Sequence, residues 1–162
     1  MLALFLNMLF AVPAEAACVK KLGQDQIGGG LTCHHTYDKQ TALEAGFGGC
    51  DVHMTSIGGI GDMELIFQFA KSKGFLVKGG GNCFDLEEIT YRGKKVTAMV
   101  LDNGSGHDVS RKVYEILTGV TPGPNCEDAV CPIGNFQKKV KGNARKEFMQ
   151  FAHTIKGYKF TQ

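Results

Sequence analysis

The chain has 162 residues, 43% of them hydrophobic, which is enough for one domain with a core and too few for two comfortable ones. Its net charge of +2 conceals an uneven distribution: seven basic residues between Phe136 and Gln162 face one acid, Glu147, whereas Cys18 to Asn135 carries 11 basic and 14 acidic residues. Such a basic run reads either as a solvated face or as a contact for an acidic polymer or membrane surface; a nucleic-acid partner is not expected.

Residues 1–17 are an apolar run that ends in small residues around Ala14-Glu15-Ala16. This is the pattern of a secretory signal peptide with an A-x-A-like cleavage site, although the usual basic n-region is missing. The run is shorter than the roughly 20 residues a membrane span needs, so the expected product is secreted and extracellular with no membrane span. Cys18, Cys33, Cys50, Cys83, Cys126 and Cys131 all follow the cleavage site. An even count in a secreted chain predicts three disulfides whose connectivity the sequence leaves open. Cys126 and Cys131 would close only a small loop if they bonded to each other. No cysteine or histidine spacing matches a zinc site, and no metal or cofactor is expected.

A Gly-rich lead, Gln24 to Gly30, precedes a short strand predicted over Leu31 to Tyr37, where His34 and His35 point to opposite faces. A loop to Cys50 and a strand over Asp51 to Ile57 follow. Asp62 to Lys73 reads as a helix with Asp62 as N-cap and Leu65, Ile66 and Phe69 on its apolar face. The glycines before it complete neither a phosphate-loop nor a dinucleotide motif. Phe75 to Lys78 is a strand, and Gly79-Gly80-Gly81 then allows a sharp bend. Phe84 to Tyr91 and Lys95 to Leu101 read as a hairpin around Arg92-Gly93-Lys94. A Gly-rich loop leads to a helix beginning near Asp108, with Val113, Ile116 and Leu117 on its inner face. Thr121 to Asn125 is turn-rich. Phe148, Phe151 and Ile155 stand at helical spacing in a C-terminal stretch, Asn143 to Ile155. The expected organisation is a signal peptide over 1–17, a disulfide-stapled domain over 18–135, and a basic helix and tail over 136–162.

The stretch from Cys83 to Gly119 resembles a secreted double-psi β-barrel, the domain shared by expansins, rare-lipoprotein-A proteins, family-45 glycoside hydrolases and cerato-platanins. The matching features are a Cys at the start of a strand, Tyr91-x-Gly93-Lys94 at the hairpin, and a hydrophobic strand ending in Asp102. A glycine loop then leads to His107-Asp108-Val109-Ser110. Expansin-like domains have His-aromatic-Asp-Leu-Ser there; in this chain the aromatic is missing. The cerato-platanin hairpin run, Cys-x-x-Leu-Thr-Tyr-x-Gly-Lys, differs by lacking the equivalents of Glu87 and Glu88. The resemblance implies a mainly β fold with added helices, a six-stranded double-psi β-barrel stapled by disulfides.

It also implies a groove. Asp108 would be the acid of a hydrolase and Asp38 the one base available, the two standing roughly 6.5–9.5 Å apart in an inverting enzyme. Asp108 reads equally as a helix cap and Asp38 as a turn residue. Tyr37, Tyr91, Asp102 and His107 are the further ligand-binding candidates; Asp102 also reads as a turn former and His107 as a surface residue. There is no Trp, which leaves Tyr37, Tyr91, Tyr114, Phe47 and Phe84 as the rings for stacking on sugar. The expected partner is a cell-wall polysaccharide or glycan, bound without hydrolysis. The alternatives are a glycoside hydrolase or lytic enzyme using Asp108, and an effector, toxin or inhibitor that contacts a host or target protein. One fold can host all three.

Overall fold

The computed structural model describes residues 30–34, 37, 50, 63–104, 106–123, 126, 130–132 and 134–155. The proposed signal peptide, Cys18, His35, Asp38, Phe47 and the strand expected over Asp51 to Ile57 lie outside the described residues. In chain order the elements are β1 (Gly30–Cys33), α1 (Met63–Lys73), β2 (Leu76–Lys78), β3 (Asp85–Tyr91) and β4 (Lys94–Val100). They continue with β5 (Asp108–Val109), α2 (Arg111–Thr118), β6 (Val130–Pro132), β7 (Gln137–Asn143) and α3 (Arg145–Thr154).

The fold is mainly β with helices added, and the strands form one curled sheet in the order β6-β1-β5-β2-β4-β3-β7. The β3–β4 hairpin is its most regular part, running from Leu86↔Met99 to Tyr91↔Lys94. In β3, buried Asp85, Glu87, Ile89 and Tyr91 alternate with half-buried Leu86, Glu88 and Thr90, the period of two that a strand between two covered faces requires. Two pairings are parallel: β1 with β5, through Thr32↔Asp108, and β2 with β4, through Leu76↔Ala98 to Lys78↔Val100. Between them β2 meets β5 antiparallel at Lys78↔Val109.

Each face of the sheet has its own core. On one, Leu31, Ile89, Tyr91, Ala98 and Val109 pack against Val113, Tyr114 and Leu117 of α2. On the other, Val77, Met99 and Leu101 meet α1 and α3 through Ile66, Phe69 and Phe148. Phe148 stacks on Phe84 with ring centroids 5.0 Å apart and meets Phe69 edge-on at 5.5 Å, geometries worth about 0.5–1.5 kcal/mol each beyond burial.

Three expectations change. The first strand stops at Cys33. Asp108 does not open a helix: Asp108 and Val109 are captured as a strand between β1 and β2, and Ser110 is the N-cap of α2. The basic stretch after Phe136 is more than a helix and tail, because Gln137–Asn143 adds the edge strand β7 to β3, with a bulge between Leu86 and Glu87. All seven of its residues are exposed, and Lys138, Lys139 and Lys141 guard the open edge against further pairing. The C-terminal helix forms as expected, with Phe148 buried.

Between described residues, two disulfides staple the sheet. Cys33–Cys126 ties β1 to the segment beyond α2 across 93 residues, and Cys50–Cys83 ties Cys50 to the start of the hairpin across 33. Cys131 is disulfide-bonded too, and Cys126 and Cys131 are not partners of each other. Such bonds persist in oxidising compartments. Among the described residues no helix is long and apolar enough to cross a membrane. Replacing Cys33 and Cys126 together by Ser should lower stability by about 3–5 kcal/mol in urea unfolding, since the bond closes a long loop. A loss below about 1 kcal/mol would show that the fold does not use that constraint.

Candidate functional site

The site grows from the end of β2. Because β2 lies between β4 and β5, the three chain segments that leave or enter these strands there are brought side by side. The Leu101 N–H donates to the Lys78 carbonyl at 2.8 Å, the Gly79 N–H to the Asp108 carbonyl at 2.9 Å, and Gly81 bridges Asn103. Asp102, just beyond β4, and Asp108, in β5, therefore flank the glycine run from opposite sides. Glycine is needed at two positions of that run. A Cβ on Gly79 would overlap the Tyr37 hydroxyl; at Gly80, where φ is +65°, it would overlap the Gly106 carbonyl.

Tyr37 fills the gap that Gly79 leaves. Its N–H donates to the His34 carbonyl at 3.2 Å, a turn that carries the ring from β1 over the end of β2. The ring is 5% exposed, and its hydroxyl donates to Asp102 Oδ2 at 3.1 Å. Burial, then the charges of Asp102 and Asp108, then that hydrogen bond all hold the phenol proton far above its ordinary pKa. Both carboxylates thus act on one hydroxyl. Asp108 is half-buried, and among the described residues its carboxylate has no hydrogen-bond partner, which leaves its lone pairs unused within the protein.

Beneath this cluster lies a buried ion pair. Lys78 is 0% exposed and Glu87 2%. The ammonium donates to Glu87 Oε2 at 2.7 Å and to the Gly80 carbonyl at 2.6 Å. Burial lowers the Lys78 pKa, and its contact with Glu87 opposes that. Lys138 of β7 reaches the other carboxylate oxygen, Oε1, at 3.7 Å, and the Gly80 carbonyl at 3.4 Å. His107 stands on the far side of the same loop, its ring 4.5 Å from that of Phe136. Burial first, then Lys138 and Lys78, push its pKa down, so the imidazole is neutral near pH 7. Its Nδ1 is buried without a partner.

Of the residues singled out in the sequence, Tyr37, Asp102 and Asp108 come together and His107 adjoins them. Asp38, the expected base, lies outside the described residues. Tyr91 does not join them: it is 0% exposed, in the core on the α2 face, and offers a sugar no free ring. Lys78, Glu87, Lys138 and Phe136 were missed. A signal for the first pair existed, since Glu87 falls on the buried face of an alternating strand and Lys78 ends an apolar one. Among the described residues no three His, Cys, Asp or Glu side chains gather as a metal site would need. No protein-family model, curated protein or solved structure matches the chain.

Two outcomes test this geometry. Glu87→Gln strands the Lys78 charge in the core and should cost about 3–5 kcal/mol in urea unfolding, whereas the paired change Lys78→Met with Glu87→Leu should cost far less. Equal losses would mean that the charges are not coupled. The second outcome concerns alkaline pH. Unfolded tyrosines ionise near pH 10, whereas Tyr37 holds its proton well above that and burial pushes Tyr114 up to about 12. Above about pH 10 the unfolded chain sheds protons that the folded chain keeps, so stability falls as pH rises. The Tm of Tyr37→Phe should accordingly drop less than that of wild type between about pH 9 and 11. Parallel curves would mean that the Tyr37 hydroxyl is solvated.

Proposed function

We propose that this chain is a secreted, expansin-like double-psi barrel that binds a cell-wall polysaccharide or glycan without hydrolysing it. The observation that carries the reading is the Tyr37–Asp102–Asp108 cluster, in which the phenol hydroxyl donates to Asp102 and lies in the field of the Asp108 charge from a different sheet segment. Carboxylates paired in this way accept hydrogen bonds from the vicinal hydroxyls of a sugar, and the half-buried Phe136 beside His107 supplies an apolar surface for a pyranose face. The barrel assignment is supported by the two parallel pairings, β1 with β5 and β2 with β4, joined through the antiparallel contact of β2 with β5.

A lytic enzyme is the second reading. Asp102 and Asp108 already act on one site, and hydrolysis of a glycosidic bond needs two carboxyl groups in different protonation states. Asp108 would then protonate the leaving oxygen, with Asp38 or Asp102 as its counterpart.

The experiment is to incubate the oxidised protein with insoluble cellulose, chitin, peptidoglycan and β-glucan, measuring retained protein and released sugar together. Retention on at least one polymer without release is expected, weakened about tenfold by Asp108→Ala as one charge-assisted hydrogen bond is lost. Sugar release that the variant abolishes would make the protein an enzyme with Asp108 as its acid. Neither retention nor release would overturn both readings and leave recognition of another protein as the role of the scaffold.

A further inference from the structure

A cavity of about 410 Å³ opens between α1, β2 and the start of α2, within the roughly 300–1,000 Å³ range of small-molecule sites. The Tyr37 ring is the wall it shares with the carboxylate cluster, and the rest of its lining is unlike that cluster. Phe67, Ala70, Phe75 and Val77 make it apolar, while Lys71 of α1 and Lys112 of α2 are the basic residues of its lining.

α2 reaches the cavity with its N-terminus, through Ser110 and Lys112. Its first-turn N–H groups have no partner inside the helix, and no acidic side chain in that turn offsets the positive end of its dipole. Ser110, the N-cap, lines the cavity and is 4% exposed. Its backbone is fully used, the N–H donating to the Val77 carbonyl at 3.2 Å and the carbonyl accepting from the Tyr114 N–H at 2.9 Å. Its hydroxyl makes no cap bond and has no partner among the described residues, and it is not sealed from the cavity that Ser110 lines. Arg111 is held elsewhere, by Glu115 at 3.3 Å and the Pro122 carbonyl at 2.8 Å. Lys112 keeps only a loose 3.7 Å pair with Glu115 and is 67% exposed.

An apolar recess lined also by a serine with an unused hydroxyl, by the first turn of a helix and by two lysines is complementary to a molecule that is apolar at one end and anionic at the other. We propose that this cavity binds a soluble single-chain amphiphile with a carboxylate head. The chain lies against Phe67, Ala70, Phe75 and the Tyr37 ring, and the carboxylate accepts from Ser110 and the α2 N-terminus, near Lys71 and Lys112. This goes beyond the polysaccharide reading and does not depend on it, since neither Asp102 nor Asp108 takes part.

The test uses the oxidised full chain and anilinonaphthalene sulfonate, a fluorescent amphiphilic anion, displaced by hexanoate, octanoate and decanoate in turn. Saturable displacement at one site is expected, with affinity rising about fourfold for each CH₂ added. Decyltrimethylammonium, with the same chain and the opposite charge, should not compete. Ser110→Ala and Lys112→Gln should each weaken decanoate severalfold without lowering Tm, since neither side chain supports the fold. Equal competition by decyltrimethylammonium, a decanoate affinity unmoved by both variants, or no saturable displacement would each overturn the proposal. So would binding to phosphatidylglycerol vesicles with none to decanoate, which would indicate attachment to a lipid surface.

Discussion

The Lys78–Glu87 ion pair is the constraint on which the central sheet depends. The two residues stand on β2 and β3 with β4 between them, so the pair spans two strand spacings, close to 10 Å of sheet. Taking both charges out of water costs several kcal/mol per ion before their attraction is counted. That cost is offset here by close geometry and by further partners: the Gly80 carbonyl for Lys78, and Lys138 for the second oxygen of Glu87. A hydrophobic pair would hold the strands as well. It would not fix the Gly80 carbonyl, and with it the path of the glycine run as it leaves the sheet.

That path sets the site. The glycine run is trapped between the exit of β4 and the entrance of β5, and so are the two carboxylates those segments carry. Tyr37 can lie over Gly79 only because no side chain is there. The same tyrosine then serves two environments, its hydroxyl turned to Asp102 and its ring to the apolar recess beside α1. The position of one ring thus links a polar carboxylate cluster with an apolar cavity.

The hairpin, α1 and α3 were legible because each carries a pattern its own residues enforce: alternation in 85–91, apolar residues at helical spacing around Phe69, and Phe148 facing a core. The resemblance brought Asp102 and Asp108 into view. What stayed hidden depends on partners distant in sequence. Asp108 and Val109 have the spacing of a helix start, and only capture between β1 and β2 makes them a strand. The lysine-rich 137–143 has no apolar alternation, since an edge strand exposed throughout needs none. It is held by β3 and by Asn143, whose side chain donates to Asp85 Oδ1 at 2.8 Å and to the Cys83 carbonyl at 3.1 Å. Tyr91 looked available because a tyrosine beside a turn often is; its strand's buried face settled otherwise.

The end of β2 is held as firmly as the central hairpin, by the ion pair and by backbone bonds from both neighbouring strands. Amide hydrogen exchange measured residue by residue tests this most directly. The N–H groups of Gly79, Leu101 and Ser110, each bonded across this junction, should exchange only through global unfolding, at the same free energy as the buried amides of β3. Exchange of Gly79 and Leu101 at the rate of an open loop, while β3 stays protected, would contradict the account.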